Sequence, residues 1–396
     1  MKVTFFSNFL NHHQLPFCLE MQKKLGDNFK FVATEEIPSD RIKLGYDDMN
    51  CLYDFVVRSY ENEQEAYSLG LKSDVVIIGS APTKYIEERI KNKKLTFRYS
   101  ERIHKDGFKI KNYLSLIKHY TLKENKNVYL LCSSAYSTYD FNISFAYIGK
   151  CYKWGYFPEV KKYNLKELFK KKNNKVDEIL WVGRFLNWKH PEKVIEIARK
   201  LKEENYKFNV KMIGIGPMFD EIADLINKYN LSDVVILLGS INNKEVRVYM
   251  EKANIYLFTS DYNEGWGAVL NESMNSGCAV ISSHAIGATP FLINNNRNGL
   301  VYKDESFDDL YFKVKLLINN RKLQTELGIN AYKTMINYWN AEYASKEFLK
   351  LCNNLLKNKK SDKNSNINKP CTKAKFILQC RMYDYIVGDR NDKKDY

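Results

Sequence analysis

The chain has 396 residues, 44% of them hydrophobic, and its 62 Lys and Arg against 47 Asp and Glu leave a net charge of +15. That length suits two domains with separate cores, and no apolar run reaches the ~18–20 residues that cross a bilayer. Eight scattered cysteines without Cys-x-x-Cys pairs or histidines at zinc spacing argue for reduced thiols in a cytoplasmic protein and against a metal centre.

In chain order, β-prone runs at 2–7, 29–34, 75–79, 95–99 and 127–132 alternate with amphipathic stretches such as 15–25 and 61–71. The first residues read as a strand and lack the charged start and cleavage site of a signal peptide. The alternation predicts parallel strands with helices on both faces. The lysine-rich segment 161–176 reads as a linker between a domain over 1–160 and a second over 177–340. There the alternation restarts: strand 178–183, helix 191–204, strand 208–213, helix 218–229, strand 234–238, helix 243–252. A helix over 341–356 is expected to cross back to the first domain. Beyond it, 357–396 is a basic tail, rich in Lys, Asn and Ser and expected to be disordered over 357–375, with an apolar stretch at 376–387 that should dock.

The charge is uneven. Residues 1–175 carry 30 basic and 20 acidic side chains, and 81–126 alone hold 13 against 5, Lys109 and Lys111 among them. Such a face suits an anionic membrane surface. Without a recognisable binding module, nucleic acid is not the expected partner.

The most informative stretch is Glu264-Gly265-Trp266-Gly267-Ala268-Val269-Leu270-Asn271-Glu272. Two carboxylates stand eight residues apart where a strand at 255–258 hands over to a helix that ends at Gly277. Open α/β sheets bind ligands at such strand ends. Free N–H groups at a helix start favour an anionic group such as a diphosphate, and Gly265 and Gly267 let backbone approach it.

Around it stand further motifs in a fixed order: Ile179-Leu180-Trp181-Val182-Gly183-Arg184 with Lys189 following, Val210-Lys211-Met212-Ile213-Gly214-Ile215-Gly216-Pro217, a strand ending at Gly239, then Gly287-Ala288-Thr289-Pro290 and Asn298-Gly299-Leu300-Val301. Over roughly 178–305 this succession resembles the donor-binding half of the retaining glycosyltransferases of family 4, the glycosyl transferases group 1. The resemblance implies the GT-B fold: two doubly wound Rossmann-like domains facing each other across a cleft. It implies a metal-independent enzyme moving a sugar from a nucleotide diphosphate, expected to be UDP, to a saccharide or lipid-linked saccharide. Cell-envelope polysaccharide synthesis, at most peripheral to the inner face of the membrane, is the expected setting, and the nucleotide sugar is a co-substrate, so no cofactor is expected. A silent binding protein of the same fold and a nucleotide-sugar epimerase are the alternatives.

By the same resemblance, Arg184 and Lys189 neutralise the diphosphate, Glu272 accepts hydrogen bonds from the ribose, and Glu264 lies beside the transferred sugar. Gly265, Trp266 and Gly267 offer backbone donors. Gly214 and Gly216 form a close-approach turn, and Ser240 and Ile241 meet the base. The first domain departs from the family. Its opening loop lacks the usual glycine pair and carries His12 and His13, while Tyr99-Ser100-Glu101-Arg102 replaces the family's histidine after the fourth strand. His12, His13 and Glu101 are the acceptor-side candidates.

Overall fold

A computed structural model describes residues 1–38, 47–105, 127–173, 176–358 and 368–388. The chain forms two compact units, Met1–Glu159 with Asn340–Ile377, and Val160–Trp339 with Leu378–Tyr396. The predicted Lys109 and Lys111, and residues 359–367 of the tail, lie outside the described residues.

The first unit holds a seven-stranded parallel sheet: β1 (Val3–Ser7), β2 (Phe29–Ala33), β3 (Val56–Arg58), β4 (Val75–Ile78), β5 (Thr96–Ser100), β6 (Val128–Cys132) and β7 (Cys151–Lys153), in the order β3-β2-β1-β4-β5-β6-β7. Helices on both sides leave β1 buried along its whole length, as expected of parallel strands. Successive side chains serve opposite faces. Phe6 joins Val32, Val76 and Ile78 under Tyr85 and Ile86, while Phe5 sits 5.3 Å from the Phe31 ring. Helix Ala341–Leu356 belongs to this unit and inserts Phe348 between Phe97 and Trp154, at 5.1 and 5.7 Å.

The second unit holds β8 (Asp177–Val182), β9 (Phe208–Ile213), β10 (Val235–Leu237), β11 (Ile255–Phe258), β12 (Ala279–Ser283) and β13 (Leu300–Tyr302), in the order β10-β9-β8-β11-β12-β13. Both sheets therefore reverse direction beside their first strand, between β1 and β4 and between β8 and β11. Two parallel-sheet Rossmann-like units define the GT-B architecture.

The described part of segment 161–176, expected as a linker, packs within the second unit. Lys161 exchanges two hydrogen bonds with the Asn275 side chain, at 2.9 and 3.0 Å, and Leu165–Lys171 is a helix. Lys172 is buried and donates to the carbonyls of Met250 and Ala253, where helix Asn243–Lys252 ends. An ammonium there satisfies orphan carbonyls and complements the helix dipole, so a run that looks solvated is partly a helix cap. The expected disorder of 357–375 also fails where the chain is described. Residues 371–374 pair antiparallel with β7, through Lys153 N to Thr372 O and Cys371 N to Lys153 O, both 2.8 Å. Helix Met382–Val387 docks on the second unit with Met382 and Ile386 buried.

Not all of the basic run 81–126 faces water. Arg89 is wholly buried and donates to the carbonyls of Gly70, Ser73, Asp74 and Leu95. Arg102 is paired with the buried Asp140.

Candidate functional site

The switch between β8 and β11 is where a doubly wound sheet opens a crevice at its strand ends, and the loops leaving these strands are tied together from beneath. Trp181 is buried, so its indole N–H needs an acceptor. It finds Thr259 Oγ1 at 2.9 Å, which in turn donates to Lys189 O at 2.6 Å. Asp261 N donates to Trp188 O at 3.0 Å. The two loops are thus one rigid platform.

On it, Lys189 Nζ lies 2.5 Å from Glu264 Oε2, with the two side chains only 13% and 12% exposed. Ser260 Oγ also donates to that carboxylate oxygen, at 3.1 Å. Arg184, at the end of β8, is exposed and makes no side-chain hydrogen bond or ion pair with any described residue. Two cations therefore stand on the β8 loop, one held and one open.

His190 was not singled out by its sequence. It adopts left-handed φ 50° just before Pro191, its Nδ1 is 2.8 Å from Glu192 Oε1, and its Nε2 is 3.5 Å from Asp261 Oδ2. Hydrogen bonds to Asp261 and Glu192 push its pKa up to about 9, so it is an imidazolium at neutral pH, clasping the β11 loop beside Lys189. The available signal was a histidine at a helix start with Glu192 two residues on, since a bare cation there opposes the dipole.

Helix Ala268–Asn275 opens at the site. Its N-cap is Gly267, at φ 85°, and a Cβ there would meet the Phe258 ring at 2.4 Å, so only glycine fits. Trp266 turns away into the core, where its Nε1 donates to Asn271 Oδ1 at 2.9 Å and its ring lies 5.7 Å from Trp339. Only its backbone can serve a ligand. Glu272 sits one turn along the helix, partly exposed, and its carboxylate accepts no hydrogen bond from any described residue. Burial raises its pKa from the ordinary carboxylate value, with Arg247 opposing.

Gly214 and Gly216 have a structural reason for being glycine. A Cβ on Gly214 would fall 1.9 Å from Gly183 O, and one on Gly216 would fall 2.5 Å from Phe185 O. The two loops cross backbone to backbone, with Phe185 N donating to Ile215 O at 3.0 Å. Gly214 N also donates to Gly239 O at 2.8 Å, which fixes the turn that carries the exposed Ser240 and the half-buried Ile241.

In the first unit, His12 and His13 follow β1, with ring centroids 3.8 Å apart. His13 stacks on Tyr156 at 5.3 Å, and Tyr156 OH donates to Glu101 Oε1 at 2.5 Å. Lys105 Nζ holds the other Glu101 oxygen, also at 2.5 Å. The structure therefore brings all three acceptor-side candidates into one chain of contacts. Tyr156, which the sequence did not mark, is its centre. Arg102 is held by the Asp140 carboxylate, which also accepts from the N–H groups of Ile103 and His104.

The two Rossmann-like units are those of the GT-B fold. Residues 165–334 match the model of glycosyl transferases group 1. An uncharacterised glycosyltransferase of Methanocaldococcus jannaschii is 32% identical over 151 residues, 38% of this chain and 41% of that protein. The Campylobacter jejuni N-acetylgalactosamine-N,N'-diacetylbacillosaminyl-diphospho-undecaprenol 4-alpha-N-acetylgalactosaminyltransferase is 31% identical over 147 residues, 37% of this chain and 38% of that one. The matches thus span about two fifths of these curated relatives. Among solved structures, Anabaena HepE in complex with UDP superposes with a TM-score of 0.65 at 13% identity, covering 88% of this chain and 99% of that chain. At that identity the likeness concerns the fold.

Proposed function

We propose that this chain is a retaining, metal-independent glycosyltransferase that moves a sugar from a nucleotide diphosphate, UDP in our reading, to a hydroxyl on a saccharide or lipid-linked saccharide of the cell envelope. The observation that carries this reading is the Lys189–Glu264 pair at the switch between β8 and β11, with Arg184 on the loop that follows β8 and Glu272 on the helix that follows β11. A carboxylate with no protein donor suits two vicinal ribose hydroxyls. Lys189 has three N–H donors and gives one to Glu264, leaving two for phosphate oxygens. As the bond from the anomeric carbon to the phosphate oxygen breaks, charge grows on the diphosphate. Fixed cations then stabilise the transition state more than the ground state. The acceptor oxygen attacks the same face, forms the new bond to the anomeric carbon, and passes its proton to the leaving phosphate. Glu264, held by Lys189 and Ser260, orients the sugar hydroxyls. Ser240 and Ile241 contact the base, and His12, His13 and Glu101 bind the acceptor.

The relative from Campylobacter jejuni, named for a diphospho-undecaprenol acceptor, supports an envelope setting with a membrane-held acceptor. No described helix is long and apolar enough to cross a membrane. The test is calorimetric titration of UDP, GDP and ADP into wild type and Glu272→Ala, in metal-free buffer with EDTA. Tight binding of UDP alone, lost in the variant, is expected. Binding of no nucleotide would sink the transferase reading, and a binding that appears only with added divalent metal would sink its metal independence.

A further inference from the structure

After helix Ser137–Asn142, the first unit makes a loop whose backbone is strained in a regular way. Phe145, Tyr147 and Gly149 all have left-handed φ, of 58°, 54° and 70°, a conformation that is costly for bulky side chains. The strain does not bring apolar surface into the core. Ala146 and Tyr147 are buried, the latter edge-on to Phe141 at 5.6 Å, but Ile143, Phe145 and Ile148 stand 40%, 65% and 58% exposed. The loop is anchored by Tyr147 and turns the apolar side chains on either side of it outward.

The tail extends this surface. Lys373 Nζ donates to Gly149 O at 2.5 Å, and Phe376, 48% exposed, lies 5.8 Å from the ring of Tyr139 on the same helix. Lys150 and Lys373 flank the loop, their Nζ groups 5.8 and 4.3 Å from the rings of Tyr129 and Tyr152, and the exposed Lys375 precedes Phe376. Across 133–158 and 368–377 Asp140 is the only carboxylate, and it is buried on Arg102.

We infer that this apolar tip and its lysine rim form a docking surface for an anionic lipid bilayer. Four exposed apolar side chains fall well short of the ~800 Å² per partner of a stable protein interface. Shallow insertion with basic residues at the headgroup level is the arrangement such a composition fits. The surface lies apart in sequence from the basic run 81–126, and the inference stands whether or not the transferase reading does.

The experiment is flotation of the full chain with vesicles of phosphatidylcholine alone and of phosphatidylcholine mixed with phosphatidylglycerol. Wild type should float with the anionic vesicles only, and less so at high salt. Phe145→Ser combined with Ile148→Ser should lower that partition at least about tenfold, and Lys375→Glu about fivefold or more. UDP titration and a thermal melt on the same samples separate this surface from the donor site and from misfolding. Equal binding by wild type and the double variant, or no wild-type binding to anionic vesicles, overturns the inference. A wild-type dimer that the double variant makes monomeric would assign the patch to a second copy and overturn it too.

Discussion

Lys189 and Glu264, which the family pattern assigns to different parts of a donor, form an ion pair with each other, Nζ to Oε2 at 2.5 Å and nearly buried. Removing one partner strands the other charge in a poorly solvated place, which costs about 3–5 kcal/mol where burial is complete and less here. Lys189→Ala and Glu264→Ala should each destabilise the second unit by about 2 kcal/mol. The double variant should lose clearly less than their sum, because no charge is left stranded. Urea denaturation of the four proteins measures this coupling, and additive losses would show that the pair is incidental.

His190 adds a pH dependence whose sign follows from its partners. Its folded pKa, about 9, lies above its ordinary value of 6.5 because Asp261 and Glu192 hold the imidazolium. The stabilisation is therefore fully present below pH ~6.5 and disappears as pH rises through about 9. The full shift corresponds to about 3 kcal/mol. The ring is partly solvated, so screening leaves about 1–2 kcal/mol. His190→Asn keeps a residue that tolerates left-handed φ and removes the charge. Its stability should be nearly flat between pH 6 and 10, whereas that of wild type falls; parallel curves from chemical denaturation would refute the assignment.

Two glycines separate strain from steric conflict. Gly267 and Gly239 have φ of 85° and 66°, but a Cβ meets the Phe258 ring at 2.4 Å in the first and nothing within 4 Å in the second. Gly239→Ala should cost about 1 kcal/mol, from backbone strain alone. Gly267→Ala should cost about 3 kcal/mol or more, because the helix start must also shift away from Phe258. It should weaken UDP binding beyond the loss in Gly239→Ala. Thermal melts and calorimetry on both variants check the order, and equal effects would argue against a built helix start.

Much of the second unit was legible because each strand ends on a residue with a job. Gly183, Gly214, Gly239 and Thr259 punctuate β8 to β11, and long apolar runs have nowhere to go but a buried parallel sheet. Two doubly wound units followed from that alternation, and GT-B from the resemblance of the motifs to the family. What escaped was short or depended on distant partners. β3, β7 and β13 have three residues each, too few for a periodic signal, and β3 and β7 lie at sheet edges. Lys172 reads as part of a solvated run until the carbonyls of Met250 and Ala253 arrive from elsewhere in the chain. Gly214 and Gly216 look like ligand glycines, but the β8 loop crossing them suffices to require them. Tyr156 joins His13 to Glu101 only because β1, β5 and β7 end on one side of a sheet.

Glu272, the carboxylate we propose for the ribose, carries a cost in stability. Its pKa is raised by burial, which Arg247 only partly offsets, so ionising it costs more in the folded state than in the unfolded one. That sign means the ionised side chain lowers stability, increasingly as pH climbs from the ordinary carboxylate value through the raised one. Glu272→Gln removes the charge and preserves the shape. At neutral pH the variant should melt higher than wild type, by an amount that vanishes at pH ~4, where the wild-type acid is already protonated. Its UDP affinity should fall about tenfold or more, since an amide has one acceptor oxygen for two ribose hydroxyls. A variant that melts lower would mean that the carboxylate serves the fold. One that binds UDP as tightly as wild type would mean that the ribose contacts some other residue.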